Sequence, residues 1–162
     1  MKSYSTILFD LDGTLTDSSQ GIINSIIYAL TKYDINDYDM SLLRKFLGPP
    51  LHESFEKFFG FDKEKSLQAV KYYREYFSTK GLLENEVYCG ITDLLQNLKE
   101  NGKTLIVATS KPQPFTDRIM VHFDLEKNFD FIAGSNMDTT RSKKAEVIEY
   151  ALSECNIIDK SS

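Results

Sequence analysis

The rhythm of apolar positions divides the chain into a short opening strand, a long helical stretch and a closing stretch in which helix and strand alternate. Residues 4–10 (YSTILFD) are a β-branched and aromatic run bounded by Asp and Gly, the pattern of a buried strand. From about Asp17 to Tyr33 the spacing turns helical, with Ile22, Ile23, Ile26, Ile27 and Leu30 recurring on one face. Further helical patterns cover roughly 40–58 and 63–79, punctuated by GPP and GFD. After GLLENEVYCG the pattern alternates. Residues 91–100 predict an amphipathic helix stopped by Asn101-Gly102, TLIVATS (104–110) a buried strand, 115–123 a short helix, FDFIAGS a second strand and 143–154 a helix. Such alternation predicts an α/β fold with a parallel, Rossmann-like sheet. The simplest organisation puts residues 1–15 and 85–162 in that core and inserts 16–84 as an all-helical domain. The insert would sit above the strand ends, where open α/β sheets bind ligands.

Composition narrows the function without naming it. With 162 residues, 41% of them hydrophobic, the chain can bury one sizeable core. Nineteen Lys and Arg against 24 Asp and Glu give a net charge of -5, and no run of like charge marks a face. Nucleic acid and acidic membrane surfaces are therefore poor partners. Cys89 and Cys155 lie in unrelated contexts, and MKSYSTILFD has neither the apolar region nor the cleavage site of a signal peptide. A cytoplasmic setting is the default, and no apolar run approaches the ~20 residues of a membrane span.

The chemistry concentrates where the first strand ends. In STILFDLDGTLTDSS, Asp10 and Asp12 are two residues apart, so both carboxylates can project from one face of the strand into the crevice of the sheet. Two crowded acids repel unless a cation or hydrogen-bond donors compensate, and Mg²⁺ is a natural hard compensator. One carboxylate could attack phosphorus while the other handles protons. A lone Asp-Gly is usually only a turn; FDLDGTLTD after a buried strand is a far rarer arrangement.

DLDGTLTDS resembles the first motif of the haloacid dehalogenase superfamily in its phosphatase form. The resemblance implies Asp10 as the nucleophile that becomes an aspartyl-phosphate and Asp12 as the general acid and base. Dehalogenases of the superfamily lack the second aspartate, so Asp12 argues for phosphoryl chemistry. It also implies Mg²⁺, held by the Asp10 carboxylate and the main-chain carbonyl of Asp12, with Thr14 ordering the loop. LIVATSKP is similar to the second motif, with Thr109 contacting the phosphoryl group and Ser110 behind it; Lys111 is either a solvated lysine or a ligand contact. GSNMDTTRSKKAEVIEYAL resembles the third motif of phosphoglycolate phosphatases and 5′-nucleotidases. Spacing to AEVIEYAL favours Lys144 as the charge-neutralising lysine, with Lys143 second. The helix dipole does not favour lysines in a first turn, which adds weight to a functional role.

The helical insert resembles the cap of this subfamily, which excludes water and selects the leaving group. RKFLGPPLHESF (44–55) is similar to its substrate-facing loop, giving Arg44 and Gly48 as substrate contacts, with an ordinary helix-helix turn as the alternative. The aromatic residues between Phe46 and Phe77 read as cap core, and His52 and His122 as structural. One departure stands out. The family's fourth motif, an apolar strand ending in Gly-Asp, should follow Lys144 by roughly 25 to 30 residues, and the chain ends in ECNIIDKSS, where Asp159 resembles the loop before that strand. The resemblance thus implies a core truncated at its C-terminus, with TILFD as an edge open to self-association, a weakened metal site, and weak or absent activity in this chain alone. The expected function is a Mg²⁺-dependent phosphomonoesterase acting on a small phosphorylated metabolite, phosphoglycolate or a nucleoside monophosphate, with a slight tilt to the nucleotide. A phosphosugar mutase and a non-catalytic phospho-ligand or interaction module remain the alternatives.

Overall fold

The computed structural model describes residues 4–138 and 140–157. In chain order the elements are β1 (Thr6–Phe9), β2 (Thr16–Asp17), α1 (Ser19–Thr31), α2 (Met40–Leu43) with a 3₁₀ turn at Arg44–Phe46, α3 (Leu51–Phe59) and α4 (Lys63–Tyr76). A π-helical turn at Phe77–Gly81 follows, then β3 (Glu86–Val87), α5 (Ile91–Glu100), β4 (Thr104–Pro112) and α6 (Gln113–His122). A 3₁₀ turn at Glu126–Asn128, β5 (Phe131–Ser135) and α7 (Lys144–Glu154) complete the order. The chain separates into two compact units, one running up to Asp17 and resuming at Glu86, the other Ser18–Asn85.

In the Ser18–Asn85 unit, the helical stretch over 40–58 breaks at GPP, as that punctuation predicts, into α2, a 3₁₀ turn and α3. Gly48 at φ 109° and the two prolines after it cannot continue a helix. Asp39 and Asp62 cap α2 and α4, their carboxylates accepting the Ser41 and Lys65 amides at 2.7 and 2.8 Å. Rings are buried beside aliphatics such as Ile26, Leu30 and Leu43. Phe55 is fully buried, edge-on to Phe46 at 5.1 Å and stacked on Phe61 at 5.9 Å. Helix α1 closes on the π-helical turn through Gly21, where a Cβ would come within 1.9 Å of the Gly81 carbonyl oxygen, so no side chain fits there. Glu84 fastens the same junction: its carboxylate accepts from Asn24 Nδ2 and Tyr76 Oη, both at 2.8 Å, and its carbonyl from the Gly21 amide.

The other unit is built on a three-stranded parallel sheet in the order β1-β4-β5. Thr6 pairs with Thr104 and Phe9 with Val107; Ile106 pairs with Phe131 and Ala108 with Ala133. β1 is an end strand of this sheet among the described residues. Alternation sets the two faces of β4. Ile106 and Ala108 join Ala133 against Val147 and Ala151 of α7, while Leu105 and Val107, on the opposite face, are also buried. Small residues at 108, 133 and 151 let α7 lie close to the strands. Beside this sheet, Thr16-Asp17 pairs antiparallel with Val87-Glu86, a two-residue ladder too short to leave a periodic signal in the sequence.

Candidate active site

Asp10 directly follows β1, and the chain then folds into a tight turn. The Leu11 carbonyl accepts the amides of Thr14, Leu15 and Thr16 at 2.9–3.2 Å, and the Gly13 amide donates to the Thr16 carbonyl at 2.8 Å. Buried Leu11 and Leu15 anchor that turn, which keeps Asp12 half-buried beside the sheet and leaves Thr14 exposed. Leu11 and Leu15 therefore fix the backbone from below while the two acids occupy the strand end above.

Each acid has its own lysine. Lys144 Nζ lies 2.6 Å from Asp10 Oδ2 and donates to the Ala108 carbonyl at 2.7 Å, so this first residue of α7 bridges the ends of β1 and β4. The other oxygen, Asp10 Oδ1, accepts the Leu11 amide at 2.8 Å. Lys111 Nζ lies 3.0 Å from Asp12 Oδ2. The two pairs differ in solvation: Asp10 and Lys144 side chains are 40% and 41% exposed, whereas Lys111 is 6% exposed beside Asp12 at 33%. Asp12 Oδ1 is buried with no hydrogen-bond partner among the described residues. Of the two lysines weighed from spacing, Lys144 is the one on Asp10; the Lys143 amide donates to Glu146, opening α7.

Thr109 is buried in β4 just past the last regular pairs with β1 and β5, and its hydroxyl accepts the Lys111 amide at 3.2 Å while keeping its own hydrogen to donate. Ser110 is exposed, and its carbonyl accepts from the buried Ser135 hydroxyl at 2.8 Å. The register of β4 against β5 shifts between Ala108 and Pro112, the stretch that contains Thr109, Ser110 and Lys111. Asp10, Asp12, Thr109 and Lys144 are thus gathered at the carboxyl ends of two adjacent parallel strands. Arg44, exposed in its 3₁₀ turn, and Gly48 belong to the helical unit. Asp159 lies outside the described residues.

Two residues were not legible as site residues. Lys111 had a solvated reading of equal weight, because its partner Asp12 is about a hundred positions away in sequence. Arg141, at φ 48°, donates to the Gly134 carbonyl and to Asn136 Oδ1 and lies 3.8 Å over the Tyr150 ring, tying down the loop that delivers Lys144. Its one signal in sequence was its position three residues before Lys144.

A divalent cation can be tested against these donors. No group of three or more His, Cys, Asp or Glu side chains gathers as a metal site among the described residues. The donors present are all oxygen: two carboxylates and the carbonyls of a tight turn. That set fits Mg²⁺, which is commonly held by one or two carboxylates together with water and substrate phosphate. It does not fit a softer metal that needs nitrogen or sulfur.

An α/β core with paired acids after one strand, a hydroxyl on its neighbour and a lysine delivered by the last described helix defines a class of phosphoryl-handling hydrolases. Residues 7–162 match the family model described as haloacid dehalogenase-like hydrolase, and the chain belongs to that family. A 5′-nucleotidase of Pseudomonas aeruginosa is 46% identical over 149 residues, covering 92% of this chain and 67% of the relative. The tyrosine-protein kinase PtkA of Mycobacterium tuberculosis is 38% identical over 148 residues, 91% of this chain; the chain spans half of that relative's length. Among solved structures, a protein of Clostridium difficile described as a phosphatase superposes with a TM-score of 0.90 at 48% identity, covering 99% of this chain and 74% of that one. No described helix is long and apolar enough to cross a membrane.

Proposed function

We propose that the protein is a phosphomonoester hydrolase in which Asp10 is phosphorylated and Asp12 moves the protons. The observation that carries this reading is the separate lysine on each acid: Lys144 on Asp10 and Lys111 on Asp12 give two neighbouring carboxylates different surroundings, as two different roles require. An Asp10 oxygen attacks phosphorus, the ester P–O bond breaks, and the departing oxygen takes a proton from Asp12. Water then attacks the aspartyl-phosphate, Asp12 takes a proton back, and inorganic phosphate leaves with Asp10 restored. Lys144 offsets negative charge between nucleophile and phosphoryl oxygens, and the Thr109 hydroxyl with the backbone near Ser110 receives those oxygens. Thr14 orders the turn. Mg²⁺ on Asp10 and the Asp12 carbonyl would supply further charge compensation to the phosphoryl group.

The substrate we infer is a small phosphorylated metabolite, with a nucleoside monophosphate ahead of phosphoglycolate because of the likeness to the Pseudomonas 5′-nucleotidase. Arg44 and Gly48 are the helical-unit positions we carry as substrate contacts. The test is phosphate release from a panel of phosphomonoesters with Mg²⁺, on the 162-residue chain and on the longest natural form that contains it. Asp10→Asn should lower turnover by about a thousandfold or more, since loss of a nucleophile is seldom compensated, and should abolish labelling of the protein by substrate phosphate. An isomeric product without phosphate would assign a mutase. Tight phosphate binding with no turnover in either form would assign a binding module.

A further inference from the structure

We infer that Lys111 is a positioning residue that fixes the Asp12 carboxylate for proton transfer to the leaving group. The inference rests on the general-acid reading of Asp12 above and adds a residue to it. Lys111 carries a nearly buried ammonium, and a buried cation is stable only when paired. Its pairing with Asp12 Oδ2 at 3.0 Å divides the labour between the two carboxylate oxygens. An ammonium has three donors and no acceptor, so the oxygen it faces cannot also carry a proton toward it. The pairing leaves Oδ1, buried without a partner among the described residues, as the carboxylate oxygen that Lys111 does not engage.

The backbone around Lys111 is braced to a degree that a solvated lysine would not need. Its amide donates to Thr109 Oγ1 at 3.2 Å, and its carbonyl accepts from Thr116 Oγ1 at 3.3 Å, a fully buried hydroxyl. One residue before it, the Ser110 carbonyl takes the Ser135 hydroxyl; two residues after it, Gln113 Oε1 accepts the Gly134 amide at 2.5 Å. Gly134 itself has no room for a side chain: a Cβ there would lie 2.8 Å from the Lys111 carbonyl oxygen and from the Gln113 backbone. The 110–113 segment is thus clamped to β5 from both sides, which is how a charged group is held to the tolerance that proton transfer demands.

Leaving-group dependence tests this, because only a defect in proton delivery discriminates between good and poor leaving groups. An alkyl monophosphate needs a general acid and 4-nitrophenyl phosphate hardly does. Lys111→Met should lose about ten- to a hundredfold in kcat on the alkyl ester, part of the 10²–10⁴ that general acid catalysis supplies. On the nitrophenyl ester it should lose at most about threefold, with KM nearly unchanged for both. Lys111→Gln, which keeps an N–H donor without the charge, should fall between wild type and Met. Asp12→Asn should show the same discrimination, and more strongly. Equal losses of Lys111→Met on both esters, while Asp12→Asn still discriminates, would overturn the inference in favour of a role in folding or phosphate binding. An unimpaired Lys111→Met would overturn it as well. If Asp12→Asn itself fails to discriminate, the general-acid reading falls, and with it this extension. A melting curve on each variant identifies any that do not fold, and Lys111→Gln then carries the comparison.

Discussion

The two units are built from different materials. Among the described residues every buried ring lies in the helical unit, where Phe46, Phe55, Phe61, Tyr73 and Phe77 meet at angles from nearly parallel to steeply tilted and share the interior with aliphatics such as Ile26, Leu30 and Leu43. The α/β unit buries small and branched aliphatics, Leu105, Ile106, Val107, Ala108, Ala133, Val147 and Ala151, in strands whose register is fixed pair by pair. Rings fill an irregular space between short helices and tolerate many mutual orientations. A parallel ladder with alanines at the helix contact tolerates few, and the four charged groups stand at its end. The difference is that the α/β unit holds the paired acids and lysines, while the helical unit holds the buried rings.

The sharpest way to break this comparison is to remove one ring. Phe55→Ala leaves a hole among Phe46, Phe59 and Phe61, and a fully buried Phe cut to Ala costs about 3–5 kcal/mol. Urea unfolding should show a loss of that size, and hydrogen exchange should accelerate first in the amides of α3 and α4. Equal acceleration in β4 would mean that the two units share one cooperative transition, and the contrast between them would lose its energetic meaning.

A smaller change tests the α/β unit. Gly134→Ala presses a methyl into the Lys111–Gln113 backbone, where the nearest atoms are main chain and cannot rotate away. Overpacking of this kind costs about 1–3 kcal/mol. The expected sign of its consequence is specific: turnover should fall by more than stability explains at a temperature where the variant is fully folded, because the displaced segment carries Lys111. A variant that melts earlier yet turns over normally would show that the segment moves without disturbing Asp12.

How much of this was readable in advance follows from range. The apolar runs in 104–110 and 129–135 and the acids closing the first strand are local patterns, and they predicted strands where β4 and β5 stand and a pair of acids after β1. The break in the helical stretch 40–58 was legible at Gly48-Pro49-Pro50, because the proline pair is a stronger local rule than the apolar spacing around it. What stayed hidden was contact across the sheet. Nothing near Lys111 in sequence announces Asp12, and nothing near Gly134 announces that the 111–113 backbone passes 2.8 Å from where its Cβ would be. Lys144 was reached through resemblance to a motif; the bridge it makes from Asp10 to the Ala108 carbonyl follows only from the register of β1 against β4.

The mildest prediction compares the two ends of the same sheet. At the amino end, Asp130 precedes β5 and accepts from Lys99 Nζ at 2.7 Å and from the Leu105 amide at 2.8 Å, a lysine–aspartate pair like those at the carboxyl end. Burial pushes the Asp130 carboxyl up, and Lys99 with the Leu105 amide outweighs it, so the group sits below its ordinary value. A carboxyl depressed in the folded state adds stability above its unfolded pKa of about 3.9, and that stability is lost as pH falls through the lower folded value. Both side chains are more than a third exposed, so the gain is under about 1 kcal/mol. Asp130→Asn should therefore lower the melting temperature slightly and by a constant amount between about pH 5 and 8, with the gap closing below about pH 4. Adding 1 M salt should remove the Lys99 share and leave the share due to the Leu105 amide. A gap that widened on acidification would mean that burial wins over both partners, and would make this pair a cost that the sheet carries and not one of its fasteners.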